Sequence, residues 1–328
     1  MRTRKLVIGI VAVIVVGIAL YAWSCRRTTT VGKPKTITVG TFSKALGNSP
    51  YYIARNFGWF EDDPAFKDVT INYKEFNDRA SISDAFSHGD LQVLFSGDAP
   101  AILNRAQGND VRLIDISGNA AQEILVRTSL GIQTVAELRG KRLAVQQGTT
   151  SQYALLKILK ANGLGETDIQ LQYMTAAEAK AAFESADLDA WAVWAPFVEQ
   201  EEVNGRGRVL PKSEILIHSV MSVSSPFITQ YEPGARAVFA AIERAKEWMI
   251  AHSEEAQKIA AQQLGLDPKV VSTAWPKFNW SAHLNDTVIT DLQAKADFLA
   301  ASDKARNSKT IDVKKDFVDL RFSSIGPK

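Results

Sequence analysis

Cysteine is almost absent from the chain. The only one, Cys25, has no partner for a disulfide, so the stability of the folded part must come from packing. Histidine is also scarce, and His88, His218, His252 and His283 lack the spacings typical of metal ligands, so we expect no metal site. An excess of either charge is missing as well. The 38 Lys and Arg nearly balance the 36 Asp and Glu, and a net charge of +2 argues against a nucleic-acid-binding surface.

Several enzyme motifs are missing too. The sequence contains no GxSxG, no HExxH, no P-loop and no glycine-rich dinucleotide fingerprint. The only cysteine precedes the globular part, so a thiol nucleophile is excluded. We therefore expect a protein that is not an enzyme and needs no cofactor. An enzyme built on the same fold and a sensor domain that signals to a membrane partner are the alternatives.

Residues 1–27 have the pattern of an export signal or a membrane anchor. Three basic residues precede the uncharged apolar run 6–23, which is just long enough to span a membrane. Small residues, Ala22 and Ser24, stand before Cys25, which makes Cys25 a candidate for lipidation. A lipidated cysteine, a conventionally cleaved signal and a retained anchor all stay open. Each of them places the rest of the chain in the periplasm or elsewhere outside the cytoplasm.

The stretch 140–163, GKRLAVQQGTTSQYALLKILKANG, predicts a strand, a tight turn and a helix in direct succession. The strand is predicted over 142–146 and the helix over 151–162, with Gly163 as its stop. This order directs free backbone N–H groups, at the positive end of the helix dipole, toward one point. A binding turn for an anion and a simple helix cap both fit this pattern.

The same strand–turn–helix order occurs twice more, and together these units predict an α/β fold with two lobes. We expect a linker at 28–35, one lobe from 36–121 and 225–328, and a second lobe from 122–224. The two crossings between the lobes, near 118–126 and 217–224, would act as hinges for closure around a ligand. Because ligands of open α/β sheets bind at the carboxyl ends of strands, the turns predict one cleft between the lobes.

Five segments of the chain resemble a known family. They read GTFSKALGNSPYYIARNFGWFED, VLFSGDAPAIL, GKRLAVQQGTTSQYALLKILKANGL, LDAWAVWAPF and LGLDPKVV…NW…DLQAKADFL. Over 35–321 the chain is similar to the substrate-binding proteins of ABC importers for aliphatic sulfonates, taurine and nitrate. The resemblance implies a periplasmic-binding-protein fold of the second type. It also implies a monomer that captures a small organic anion and delivers it to the permease subunits of an ABC importer.

The resemblance further implies which residues contact the ligand. Several helix N-termini would supply neutral donors to an oxyanion, and an indole would cover the apolar part of the ligand. The implied contacts are Asn48, Ser49, Gly97, Asp98, Gly148, Thr149, Thr150, Trp194 and, near the return crossing, Ser222.

Some of these assignments have alternatives. Asp98 could cap its helix or bind the ammonium group of a zwitterion such as taurine, and Trp194 could belong to the core. Ala195 stands where relatives often have an acidic residue, which argues against a straightforward taurine ligand. Nitrate, a pyrimidine precursor and an aromatic sulfonate or carboxylate are the other candidate ligands.

Overall fold

The computed structural model describes residues 32–42, 44–211, 213–302 and 309–322. The predicted export signal, its lipidation candidate Cys25 and the first half of the predicted linker lie outside the described residues. Among the helices of the described ranges, none is both long and apolar enough to cross a membrane.

The described strands form two sheets. The first contains β1 (Thr36–Phe42), β2 (Thr70–Phe76), β3 (Val93–Gly97), β4 (Val111–Ala121), β10 (Leu216–Ser224) and β11 (Phe278–Asn279). The second contains β5 (Glu123–Arg127), β6 (Arg142–Val145), β7 (Gln170–Tyr173), β8 (Ala190–Val193) and β9 (Gly207–Val209). The predicted α/β fold with two lobes is therefore confirmed, one lobe for each sheet.

The helices pack on these sheets. In chain order they are α1 (Ser49–Asn56), α2 (Arg79–Ser87), α3 (Asp98–Ala106), α4 (Thr150–Ala161), α5 (Ala176–Glu184), α6 (Phe197–Val203), α7 (Ser225–Gln230), α8 (Glu232–Ala251), α9 (Ser253–Leu264), α10 (Pro268–Ala274) and α11 (Asp286–Ser302). The last described residues return to the first sheet. Phe317 and Val318 are buried, and Val318 pairs with Leu113 in β4.

Both sheets are mixed, with the parallel strands grouped on one side of each sheet. The first sheet has the order β11-β4-β10-β3-β1-β2, in which β1 runs parallel to β2 and β3 while β10 runs antiparallel to β3 and β4. The second has the order β7-β6-β8-β5-β9, with β6 parallel to β7 and β8. Alternate residues of strand β5 pack into different hydrophobic cores. Ile124 and Val126 pack on one face of the second sheet, and Leu125 packs on the other. Burial on both faces explains the near-continuous apolar runs of these strands.

The crossings between the lobes lie close together. The first is at Gln122, between β4 and β5, within the predicted range. The second lies between β9 and β10, because β10 belongs to the first sheet, so the predicted range 217–224 is wrong and the second lobe ends before β10. The Gln122 N–H donates to Ile215 O over 2.8 Å, and Leu210 N–H donates to Ile124 O over 3.0 Å. The two connections are thus hydrogen-bonded to one another between the lobes.

Candidate functional site

A cleft lies where the two lobes meet. Its cavity volume is about 70 Å³, and about 770 Å³ of space is free of protein atoms when the open mouth is included. Residues of both lobes form its walls. Its lining comprises Phe42, Ala45, Gly47, Gly97, Pro100, Ala120, Ala121, Glu123, Thr149, Thr150, Ser151, Val193, Trp194, Ala195, Glu199, Ile217, Ser219, Lys277 and Phe278.

The start of helix α4 forms one wall of the cleft. Thr149 is the N-cap, and its Oγ1 accepts a hydrogen bond from Gln152 N–H over 3.3 Å. Thr149, Thr150 and Ser151 line the cleft, whereas Gly148 stands behind them with its N–H bonded to the Gln152 side chain. Gly148 has a φ of +72°, a conformation that favours glycine. The first turn of a helix leaves backbone N–H groups without partners inside the helix, so this wall can bind negatively charged oxygens.

The start of helix α3 faces the cleft from the first lobe. Gly97, the residue before the helix, lines the cleft, but the side chain of Asp98 is fully buried behind it. Asp98 Oδ1 accepts hydrogen bonds from the Thr150 hydroxyl and from Ala99 N–H, while Oδ2 accepts from Lys295 Nζ over 2.5 Å and from His218 N–H over 3.1 Å. Asp98 is thus fully engaged within the protein, and its bond to Thr150 joins the two lobes.

The turn before helix α1 contributes through its backbone. Gly47 lines the cleft, and a Cβ atom at this position would lie only 2.0 Å from Ser219 Oγ, so the close approach of turn and strand requires glycine. The predicted residues Asn48 and Ser49 are buried beside it and are not part of the lining. The Ser49 hydroxyl donates to Leu46 O over 2.6 Å, whereas neither amide atom of Asn48 has a hydrogen-bond partner among the described residues.

Trp194 belongs to the apolar part of the cleft. It follows the last residue of β8, lines the cleft and is half-buried. Its ring meets Phe197 edge to face at 6.0 Å between centroids. Phe42 and Phe278 of the first lobe also line the cleft and give it an aromatic surface from both sides. A ligand with an apolar body would be enclosed between these rings.

An ion-pair group that sequence reasoning missed also lines the cleft. Lys277 of the first lobe places Nζ 2.7 Å from Glu199 Oε1 and 2.9 Å from Glu123 Oε2, both in the second lobe. Burial raises the pKa of Glu199, although the Lys277 ammonium acts in the opposite direction. Burial alone would lower the pKa of Lys277, but the two carboxylates outweigh it and the pKa is raised. This group is a second polar link between the lobes.

Three polar atoms of the lining are buried without a hydrogen-bond partner among the described residues. They are the Ser151 hydroxyl oxygen, the Trp194 ring nitrogen Nε1 and the Glu199 carboxylate oxygen Oε2. Buried polar groups in folded proteins are nearly always hydrogen-bonded, and leaving one unpaired costs about 1–3 kcal/mol. Two of these groups can donate and one can accept. All three are candidate partners for a polar ligand in the cleft.

Ser222 lies outside the cleft. It sits within β10 between Leu94 of β3 and Leu113 of β4 and is fully buried. Ser219, three residues earlier, is the serine of this strand that lines the cleft. The register of β10 against β4 shifts at Ser219/Val220 and again at Met221/Ser222, so a simple alternation along the strand does not show which serine faces the ligand.

Two histidines lie beside pairs of carboxylates, which their spacing in the sequence does not show. His218 lies near Asp98 and Asp291, and His283 lies near Asp115 and Glu243. A lysine ammonium already contacts both acids of each group. Lys295 binds Asp98 and Asp291, while Lys246 Nζ is 2.8 Å from Glu243 and 3.4 Å from Asp115. Both groups are therefore partly buried ion-pair networks in the first lobe.

Comparison with known proteins identifies the class of protein. The family model described as NMT1/THI5 like matches residues 47–256, and the chain belongs to this family. The matched region begins just before helix α1, so it excludes strand β1, and it includes the whole second lobe.

Individual relatives have more specific names. The aliphatic sulfonates-binding protein of Escherichia coli (strain K12) is 30% identical over 212 residues, which cover 63% of this chain and 66% of that protein. The aliphatic sulfonates-binding protein of Bacillus subtilis (strain 168) is 28% identical over 280 residues, covering 84% of this chain and 83% of that protein. The match thus spans just under two thirds of the first relative and most of the second.

A solved structure agrees with these relatives. The alkanesulfonate-binding protein SsuA from Xanthomonas axonopodis pv. citri, bound to MOPS, superposes with a TM-score of 0.76 at 26% identity. The superposition covers 88% of this chain and 99% of that one. The names of all three proteins describe binding proteins.

Proposed function

We propose that this protein binds a small organic sulfonate in the cleft outside the cytoplasm and delivers it to the permease of an ABC importer. The observation that carries the proposal is the composition of the cleft. The N-terminus of helix α4 and the unpaired donors of Ser151 and Trp194 line the same cavity as a cluster of aromatic rings. A sulfonate group needs several neutral donors, and an alkyl chain needs an apolar wall.

The similarity to sulfonate-binding proteins supports the same conclusion. Two relatives and one solved structure bear that function in their names, and the superposition covers almost the whole of the sulfonate-binding structure. In this account Thr149, Thr150 and Ser151 hold the sulfonate oxygens, Gly97 and Gly47 offer backbone groups from the first lobe, and Trp194 covers the alkyl part. The protein acts as a monomer, is tethered through its N-terminus and releases its ligand chemically unchanged.

A ligand screen tests the proposal. The purified protein would be heated with taurine, short and long alkanesulfonates, an aromatic sulfonate, nitrate, sulfate and a thiamine pyrimidine, and each stabilising ligand would be confirmed by calorimetry. A ligand that binds only the folded state, at 100 times its dissociation constant, adds about 2.7 kcal/mol of stability. We expect sulfonates to raise the melting temperature. A response to nitrate or the pyrimidine alone would contradict the proposal, as would a chemically altered sulfonate recovered after incubation.

A further inference from the structure

Glu199 is a buried acid at the ligand-facing end of an ion-pair group. It lies in the first turn of helix α6, its side chain is fully buried, and it lines the cleft. Its Oε1 atom pairs with Lys277, but its Oε2 atom has no hydrogen-bond partner among the described residues. A purely structural link between the lobes explains why Oε1 pairs with Lys277. It does not explain why Oε2 is buried without a partner. An unpaired carboxylate oxygen at the wall of a binding cleft can accept a hydrogen bond from a donor group of the ligand.

The charges around Glu199 define the kind of donor. Lys277 Nζ is shared among Glu199 at 2.7 Å, Glu123 at 2.9 Å and Glu202 at 3.2 Å, so one ammonium faces three carboxylates. Glu199 and Glu123 line the cleft, whereas Glu202 lies outside its lining. Glu199 therefore shares its Lys277 counter-charge with two other carboxylates, so a cationic group of a ligand beside Oε2 is more favourable than an anionic one.

We infer that Glu199 Oε2 binds a cationic nitrogen of the ligand, so that the preferred ligand is a zwitterionic amino-sulfonate. The inference rests on the proposed function. It places the sulfonate at the start of helix α4 and the ammonium at Glu199, and both ends of the ligand then satisfy unpaired groups of the cleft. Ala195 stands four residues before Glu199 and outside helix α6, so the acidic group of this region is supplied from the first turn of that helix.

A matched set of ligands tests the inference on the unsubstituted protein. Taurine, propanesulfonate and isethionate have nearly the same size and share a sulfonate, but they end in an ammonium, a methyl and a hydroxyl group. Calorimetry at neutral pH would measure the three dissociation constants. A hydrogen bond to a charged group predicts that taurine binds on the order of tenfold or more tighter than propanesulfonate. We expect isethionate to bind more weakly than taurine, since it offers a donor without charge.

Two substitutions on the same helix then assign the effect to one side chain. Glu199→Gln keeps the shape and removes the charge, so taurine should bind about tenfold or more weaker while propanesulfonate binding stays unchanged or tightens. Glu202→Gln is the control, because Glu202 also pairs with Lys277 but does not line the cleft. It should change both affinities by the same factor. Circular dichroism would confirm that each variant is folded, and the ligand series on the unsubstituted protein does not depend on any variant.

The outcomes separate this inference from the proposed function. Equal affinities for taurine and propanesulfonate, or a taurine preference that survives in Glu199→Gln, would overturn the inference and leave sulfonate binding intact. Isethionate binding as tightly as taurine would also overturn it, because the site would then recognise a neutral donor. Failure of all three sulfonates to bind would overturn the proposed function together with the inference.

Discussion

Replacing Lys295 by methionine should destabilise the protein strongly. The side chains of Lys295 and Asp98 are both fully buried, and Lys295 Nζ donates to Asp98 over 2.5 Å, to Asp291 over 2.7 Å and to Leu216 O over 2.7 Å. Burial alone would lower the pKa of Lys295, but the Asp98 and Asp291 carboxylates raise it, so the residue is charged in the folded protein. One ammonium thus joins helix α3, strand β10 and helix α11.

The size of the effect follows from what the substitution leaves behind. Methionine fills most of the space of the lysine side chain, so the main loss is electrostatic. Removing one partner of a buried ion pair costs about 3–5 kcal/mol, because the other charge stays buried without compensation. Asp98 keeps three donors, Thr150 Oγ1, Ala99 N–H and His218 N–H, which reduce that cost. We therefore expect a loss near the lower end, about 3 kcal/mol.

Equilibrium unfolding in urea, followed by circular dichroism at neutral pH, measures this loss. Lys314→Met is the matched control, since Lys314 pairs with Asp286 over 3.0 Å with both side chains more than half exposed. An exposed pair contributes at most about 1 kcal/mol, so the control should be nearly as stable as the unsubstituted protein. If Lys295→Met lost no more stability than Lys314→Met, the reasoning about the buried pair would be refuted.

Three further predictions concern the cleft and the pH dependence of stability. Trp194→Ala should weaken binding of sulfonates with an apolar chain by about tenfold or more, as measured by calorimetry; an unchanged affinity would assign Trp194 to the core. Lys277→Met should shift the lobes toward an open arrangement, since Glu199 would lose its counter-charge in the closed one, and an unchanged radius of gyration in solution scattering would contradict this. The hydrogen bond to Asp115 raises the pKa of His283. The stabilisation from His283 is therefore complete below its unfolded pKa of about 6.5 and is lost as the pH rises through the higher folded value. The urea midpoint should thus fall more between pH ~6 and ~8 in the unsubstituted protein than in His283→Gln, and parallel curves would refute the assignment.

Local sequence patterns predicted the elements that carry the anion-binding wall. The helix expected over 151–162 is Thr150–Ala161. This segment combines apolar residues at helical spacing with a cap and a glycine stop, so local and tertiary preferences agree. Helix α6 was not predicted, because seven residues with three acids show no clear apolar period.

The polar contacts of the site could not be predicted in the same way. The sequence allows two roles for Asp98, a helix cap or a ligand contact. Its partner in the structure, Lys295, lies 197 positions away in the sequence. Lys277 and Glu199 are 78 positions apart and come from different lobes. Such pairs depend on how the lobes pack, and no spacing along the chain encodes them. The assignment of Ser222 to the cleft failed for a related reason, because the irregular register of β10 decides which serine faces the ligand.

The central claim is that a small sulfonate binds between the lobes at the start of helix α4. A crystal structure of the protein with a sulfonate selected by the thermal screen tests it most directly. The account predicts sulfonate oxygens within hydrogen-bond distance of the backbone N–H groups at the start of helix α4 and of the Ser151 hydroxyl, with the rest of the ligand against Trp194. A sulfonate bound outside the cleft, or held there by Glu199 and Lys277 with nothing at the helix start, would contradict the account.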